Sequence, residues 1–448
     1  MEYIIGVLIL VSFFGLAFYA ARGGNLMMGM LDMAILWTVL PMIGNTFATN
    51  PEFLAANGDK VGITWIQAFS KVFQSGPEGW GNVLVNVVFG AWFGRVLLGT
   101  GVASTLIRKT TELGGDRPAI TCILLCIVTA AIFSSLFGAG AVVAIGVIVL
   151  PILMSLGIPK VLSVVSFMLS IGAGMFLNPV LFGQYTAFFL DDQGKALYPY
   201  DQYVRWGGIA WAVQLTFTIC LVLFCTRKRR LVHHWSARRP VRQVLDFAPG
   251  KALITPFIPV FLLIVFKVPI IMGFLIGGFY ALFVCGKLPD FKTACRTFNK
   301  DFFDGVVDTA PLVGFLLMVP MFNKAAELCI PYFNALLGNV IPQSTLFIVI
   351  AFCVLAPLGL FRGPFTLYGC GAATLGILKG IGFSTPFLAS LMIAATTVMN
   401  VSCCITQSWI VWGISYTKVS TRDFLKMSVV CGWIICIILH AITFVMFG

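Results

Sequence analysis

Small, hydroxyl and amide side chains gather at two places in a strongly apolar chain. The first holds Ser134, Ser135, Gly138, Gly140 and Asn178; the second holds Arg362, Gly363, Thr366, Asn400, Ser402 and Thr406. Asn, Ser and Thr offer neutral hydrogen bonds, and Gly lets the backbone turn tightly and approach a ligand. Arg362 adds a permanent charge. At membrane depth an arginine costs roughly 2.5–3.5 kcal/mol or more, so it needs an anionic partner or water. No acid lies near it in the sequence, and an incoming carboxylate would fill that role with two parallel hydrogen bonds. Plainer roles stay open: Arg362 at an aqueous mouth, Asn178 and Asn400 as helix caps, Ser134 and Ser135 as close-packing residues. The signal is their coincidence at two places.

The elements that carry these residues must lie in a membrane. Of 448 residues 59% are apolar and 10% are charged, against roughly 25% charged in a soluble domain. The mean hydropathy is +0.98. Soluble enzymes, nucleic-acid binders and secreted disulfide scaffolds are excluded, and the chain reads as an all-α polytopic membrane protein. Its apolar runs are continuous rather than alternating, which argues against a β-barrel. The net charge of +12 reflects the Lys/Arg bias of cytoplasmic loops. The 13 Cys are scattered through apolar runs without a CxxC pair, so they read as small buried hydrophobes. The first apolar run follows Met-Glu-Tyr with no basic segment before it and reads as a retained helix.

Apolar segments fall at 3–20, 28–48, 83–107, 118–134, 139–156, 161–190 and 206–226. A second set falls at 252–268, 269–286, 305–323, 344–360, 364–381, 384–416 and 424–447. A basic linker, 227–251, separates the first repeat (1–226) from the second (252–448). The halves align with an offset near 224, which brings Gln184 to Gln407 within one residue. The pattern F-x-K-x-F-x-x-G occurs at Phe69, Lys71, Phe73 and Gly76 and again at Phe298, Lys300, Phe302 and Gly305. With 118–134/139–156 and 344–360/364–381 as re-entrant hairpins, each half crosses the membrane five times. An odd number inverts the second repeat relative to the first. With the linker inside, the cytoplasmic segments hold 20 of the 29 Lys and Arg, as the positive-inside rule requires.

Each hairpin turns at Gly-rich sequence, Gly138-Ala139-Gly140 or Arg362-Gly363-Pro364, and Pro364 suits the first position of a returning helix. Turns at membrane depth are tolerated only when buried in protein or lining a wet cavity. Each hairpin precedes a helix interrupted by polar residues: Asn178-Pro179 with Gln184 beyond, and Asn400-Val401-Ser402 with Thr406-Gln407 beyond. Helix N-termini at the tips attract anions, and carbonyls freed at the breaks suit a small cation. Amphipathic stretches at 63–75 and 290–303 lie along opposite membrane faces. Asp32 and Asp308 are intramembrane acids and so coupling candidates, and Arg95 either snorkels or pairs with one of them. His440 reads as packing or interfacial. No P-loop, HExxH, haem or flavin motif is present, so the chain reads as no enzyme, with no catalytic residues, no metal site and no cofactor beyond H+ or Na+ as coupling ion.

This pattern resembles the ion transporter superfamily, which includes citrate and dicarboxylate carriers, gluconate permeases and the membrane subunits of tripartite periplasmic transporters. The run from Phe89 through Gly94, Arg95, Gly99 and Gly101 to Ala103, followed by Gly114-Gly115 and the first hairpin, is most similar to the gluconate permease and citrate-carrier branches. The Ser-Asn-Thr triplets of the dicarboxylate/sodium symporters are absent from both tips. The resemblance implies an elevator: a transport domain (118–190 and 344–416) sliding against a scaffold of the remaining helices, often a homodimer. It implies a secondary active transporter of a small organic anion, a carboxylate or sugar acid, coupled to H+ or Na+, in the lipid bilayer of the inner membrane. An organic-anion exchanger and the permease subunit of a tripartite system with an external binding protein are the alternatives.

Overall fold

The computed structural model describes residues 2–22, 24–48, 50–115, 117–190, 196–227, 247–337 and 342–448, the side chains at 20, 21, 52, 55, 56, 59, 60 and 337 excepted. Most of the basic linker, 228–246, lies outside the described residues. Regular structure among the described residues is helical, with one isolated bridge between Leu190 and Ala196.

Helices α1 (Glu2–Ala21) and α2 (Leu26–Phe47) lead to short helices α3 (Pro51–Val61), α4 (Trp65–Ser70) and α5 (Gly76–Glu78), with a π-helical turn at Lys71–Ser75. Then come α6 (Gly81–Gly99), α7 (Val102–Gly114), α8 (Pro118–Phe133), α9 (Ala139–Ser155), α10 (Lys160–Met175), α11 (Pro179–Thr186) and α12 (Tyr200–Thr226). A 3₁₀ stretch, Gly250–Phe257, opens the second half, followed by α13 (Ile258–Phe266), α14 (Ile270–Val284) and α15 (Phe291–Leu337). After α16 (Thr345–Leu355) and a distorted 3₁₀ segment, Ala356–Arg362, come α17 (Gly371–Ile381) and α18 (Thr385–Ala395). A π-helical turn at Thr396–Ser402 precedes α19 (Ser408–Thr417) and α20 (Thr421–Phe447).

Eight helices among the described residues are long and apolar enough to cross a membrane, nine with the bent pair α10 and α11 as one span. The chain is thus a polytopic all-helical membrane protein. Three segments differ from expectation. The apolar run 83–107 breaks at Gly101, whose φ of 73° ends α6 and starts α7. The amphipathic stretch 290–303 is no separate element, because helical backbone runs on from it through the whole of α15, 47 residues long. At 1.5 Å per residue α15 measures about 70 Å, over twice the hydrocarbon thickness. The runs 252–268 and 269–286 form helical segments of only 17 and 15 residues, limited by Pro249, Lys267 in the left-handed region and Pro269.

Packing divides the helices into two groups. One holds α1, α2, α6, α14 and α15; the other holds α8, α9, α10, α12, α18, α19 and α20, while α11 packs on α6 and α17 on both α15 and α18. The interior of the second group is α10 and the segment Thr385–Ser402, 89% of it buried against 28–50% for the other spans. Both are buried on every face and carry their polar residues, Ser163, Ser166 and Ser170 or Thr396, Thr397 and Asn400, inside the protein. They touch at Gly172: a Cβ there would stand 1.8 Å from Ser402 Oγ, so only glycine permits the approach.

Candidate functional site

The break in the first interrupted helix is a capped restart. Pro179 supplies no amide, and Asn178 Oδ1 accepts from Val180 N at 2.9 Å and Leu181 N at 3.2 Å. The axis bends by 66° between α10 and α11. Asn178 Nδ2 donates to Phe133 O at 3.0 Å and Leu136 O at 2.8 Å, the last carbonyls before the first hairpin turn. Asn178 is fully buried and all four of its hydrogen-bonding positions are filled. Ser134 Oγ donates to Ala131 O at 2.7 Å, and Ser135 Oγ to Pro256 O at 2.6 Å. Gly138, with φ of 107°, starts α9. Gly140 faces Asp308, whose Oδ2 would lie 3.0 Å from an added Cβ. The first tip is therefore closed upon itself, on Asn178, on Pro256 and on α15.

The second tip is different. Phe361 and Arg362 both have positive φ, 53° and 60°, a conformation costing roughly 1–2 kcal/mol per non-Gly residue. Phe361 N points at Cys404 Sγ, 3.1 Å away, and Cys370 N donates to Arg362 O at 3.0 Å. An added Cβ at Gly363 would stand 2.0 Å from Leu358 O, so the turn needs glycine there. The Arg362 guanidinium has no acid partner among the described residues. Its Nη1 reaches Tyr368 O at 3.4 Å, it stands 5.3 Å from the centre of the Phe315 ring on α15, and its Nε is enclosed without a partner.

Three more buried groups around this tip are unsatisfied among the described residues: Thr366 Oγ1, Gln184 Nε2 and Asn400 Nδ2. The elements that carry them are tied together. Tyr368 OH donates to Gln184 Oε1 at 2.8 Å, joining the tip to α11. Leu367 N donates to Thr396 Oγ1 at 3.0 Å, joining it to the π-helical turn. Tyr185 OH and Thr397 Oγ1 meet at 2.9 Å and join α11 to that turn. Asn400 Oδ1, one turn further on, accepts from Gln407 Nε2 at 2.5 Å. An amide NH2 and a guanidinium N–H can only donate. Each buried unmade hydrogen bond costs about 1–3 kcal/mol, and at this tip no acceptor among the described residues takes up these donors.

The sequence-predicted residues thus separate. Arg362, Gly363, Thr366 and Asn400 belong to the second-tip cluster, while Ser134, Ser135, Gly138, Gly140 and Asn178 hold the first tip. Ser402 accepts from Gln214 Nε2 at 3.2 Å and donates to Thr397 O at 3.0 Å. Thr406 Oγ1 lies 3.0 Å from Cys404 Sγ. Gln184, Tyr185, Tyr368 and Thr397 were not in the predicted set; the pairing of Gln184 with Gln407 across the repeat alignment was the signal for the first. Of the two acids, Asp308 pairs with Arg95 at 2.5 Å, whereas Asp32 is exposed on α2, which packs on α1, α4 and α15. His440 is buried against the edge of Phe352, its ring centre 5.6 Å away. No group of three His, Cys, Asp or Glu among the described residues is placed to hold a metal ion.

No protein-family model and no curated protein matches this sequence. Its fold is shared with a solved structure. The Alcanivorax borkumensis YdaH transporter, whose topology is described as unusual, superposes with a TM-score of 0.60 at 13% identity over 94% of this chain and 98% of that one. Neisseria gonorrhoeae MtrF, described among a class of antimetabolite efflux pumps, gives 0.49 at 14% identity over 92% and 94%. This chain therefore has the fold of a membrane transporter.

Proposed function

We propose that this chain is a secondary active transporter for a small organic anion, a carboxylate or sugar acid. The observation that carries the proposal is the second hairpin tip. An arginine without an acid partner and three unsatisfied buried groups surround one strained turn, two of them pure donors and one a hydroxyl able to donate. A carboxylate accepts from the guanidinium through two parallel bonds and from the amides with its remaining lone pairs. The shared fold with a transporter supports transport by analogy. We assign Arg362, Thr366, Gln184 and Asn400 to the ligand and Asn178 and Ser135 to holding the first tip.

The two repeats are inverted in this reading, and the unit built on both hairpins moves against α1, α2, α6, α14 and α15. The contacts of α12 with α8 and α10, and of α20 with α16 and α18, favour placing α12 and α20 with the moving unit. A proton or sodium ion drives accumulation. Each net positive charge carried inward through 100 mV is worth about 2.3 kcal/mol, roughly fifty-fold in concentration. Asp308 is the coupling candidate beside the first tip.

The test is uptake of radiolabelled succinate, citrate and gluconate into vesicles containing the purified chain alone, under a proton or a sodium gradient. Uptake of one acid class that Arg362→Gln abolishes supports the reading. No uptake under either gradient, together with no rise in melting temperature with any of the acids, overturns it.

A further inference from the structure

A basic cavity opens beside α17 and the chain after α11. It has a volume of about 460 Å3 and sits between the π-helical turn after α4, the middle of α15, the far end of α17 and the chain just after α11. Lys71, Lys324 and Lys379 line it against a single acid, Glu327, so its described lining carries a net charge of +2. Glu327 is shared: Lys324 Nζ lies 2.8 Å from Oε1 and Lys71 Nζ 3.6 Å from Oε2. Lys379 has no carboxylate partner among the described residues. Its Nζ donates to Phe188 O at 2.6 Å and stands 4.9 Å from the centre of the Phe189 ring. Asn323 on the same wall has an enclosed, unpaired Oδ1. The acids Asp191 and Asp192, which follow Leu190 of the lining, lie outside the described residues.

We propose that this cavity is a second anion site, which takes a small divalent organic anion before it reaches the Arg362 tip. The charge of +2 matches a dicarboxylate. Its size falls within the range of small-molecule pockets, roughly 300–1,000 Å3. Basic clefts with low-dielectric walls concentrate anions and raise their association rates by about 10- to 1,000-fold. The site's walls come from α15 on one side and, on the other, α17, which packs on both α15 and α18. Binding at this site stands on its own chemistry; only its role as an antechamber rests on the transport reading.

The experiment is residue-by-residue acetylation of lysines by acetic anhydride in the purified full chain, read by mass spectrometry, with succinate as the probe and acetate as the monovalent control. Succinate is expected to slow labelling of Lys71, Lys324 and Lys379 about tenfold when present at about ten times its Kd. Exposed Lys251 is expected to be unaffected, and acetate to protect far less. The protection persists in Arg362→Gln and is lost from Lys71 and Lys324 in Lys379→Gln. Labelling that succinate does not change overturns the proposal. So does protection that vanishes in Arg362→Gln, because the lysines would then only report on the Arg362 tip, and equal protection by acetate overturns the divalent assignment. The transport reading fails separately, if the unaltered chain takes up no anion under either gradient and no anion raises its melting temperature.

Discussion

Arg95 and Asp308, 213 positions apart in sequence, clasp each other through two contacts of 2.5 Å, Nε to Oδ2 and Nη2 to Oδ1. The pair joins α6 to α15 and faces Gly140 at the first hairpin tip, where an added Cβ would lie 3.0 Å from the carboxylate. It is half-buried, with side chains 35% and 26% exposed.

Removing one partner of such a pair leaves the other charge uncompensated. Asp308→Asn is expected to cost about 1–3 kcal/mol, less than the roughly 3–5 kcal/mol of a fully buried pair. The double variant Arg95→Met/Asp308→Leu recovers most of the loss. Melting curves in detergent read both. If Asp308 also carries the coupling proton, the pH dependence of uptake flattens in Asp308→Asn while substrate-induced stabilisation survives. An unchanged pH profile assigns the pair to structure alone.

Arg362 is expected to lower the stability of the ligand-free chain. It combines an unpaired charge with a strained backbone, so Arg362→Gly removes both costs. The empty protein is expected to gain about 1–3 kcal/mol while its stabilisation by the transported anion disappears. Arg362→Lys keeps the charge but loses the two-pronged geometry and is expected to bind at least about tenfold more weakly. A destabilised Arg362→Gly protein contradicts this account.

Thr366 offers a cleaner probe of the ligand. Its hydroxyl is buried without a partner, so Thr366→Val is expected to stabilise the empty protein by about 1–3 kcal/mol. If the hydroxyl contacts the anion, the affinity falls by about 1–2 kcal/mol. Calorimetric titration with the transported anion separates the two. Equal affinity removes Thr366 from the site.

Gly172 tests the crossing of the two central helices. Gly172→Ala drives a methyl into Ser402 Oγ and close to Gln214 Nε2, and overpacking of this kind costs about 1–3 kcal/mol. Adding Ser402→Ala is expected to restore part of it. A melting temperature unaffected by Gly172→Ala would mean that the crossing is looser than described.

Much was legible along the chain. Pro179 after Asn178 announced a helix break, because proline has no amide and asparagine caps well, and the structure has that cap and a 66° bend. Gly138 and Gly140 marked the first tip. The partner of Arg95 was left between Asp32 and Asp308, since distance in sequence carries no Coulomb term. The length of α15 was missed because Pro311, Pro320 and Pro331 lie inside it and its amphipathic start differs in pattern from its apolar continuation.

What the sequence determined by itself was the solvent and the kinds of element. A chain with 59% apolar residues has to satisfy its backbone inside helices, since lipid offers no hydrogen bonds. Tertiary structure alone decided which polar groups are spent and which are left over. Asn178 and Asn400 look alike in the sequence, each in an interrupted helix behind a hairpin. Folding surrounds Asn178 with two carbonyls and two amides, so nothing remains for a ligand. It gives Asn400 a single partner, Gln407, and leaves its NH2 unpaired beside the tip that carries Arg362. Hydrogen-bond satisfaction is a property of packed neighbours, and neighbours remote in sequence exist only once the chain has folded.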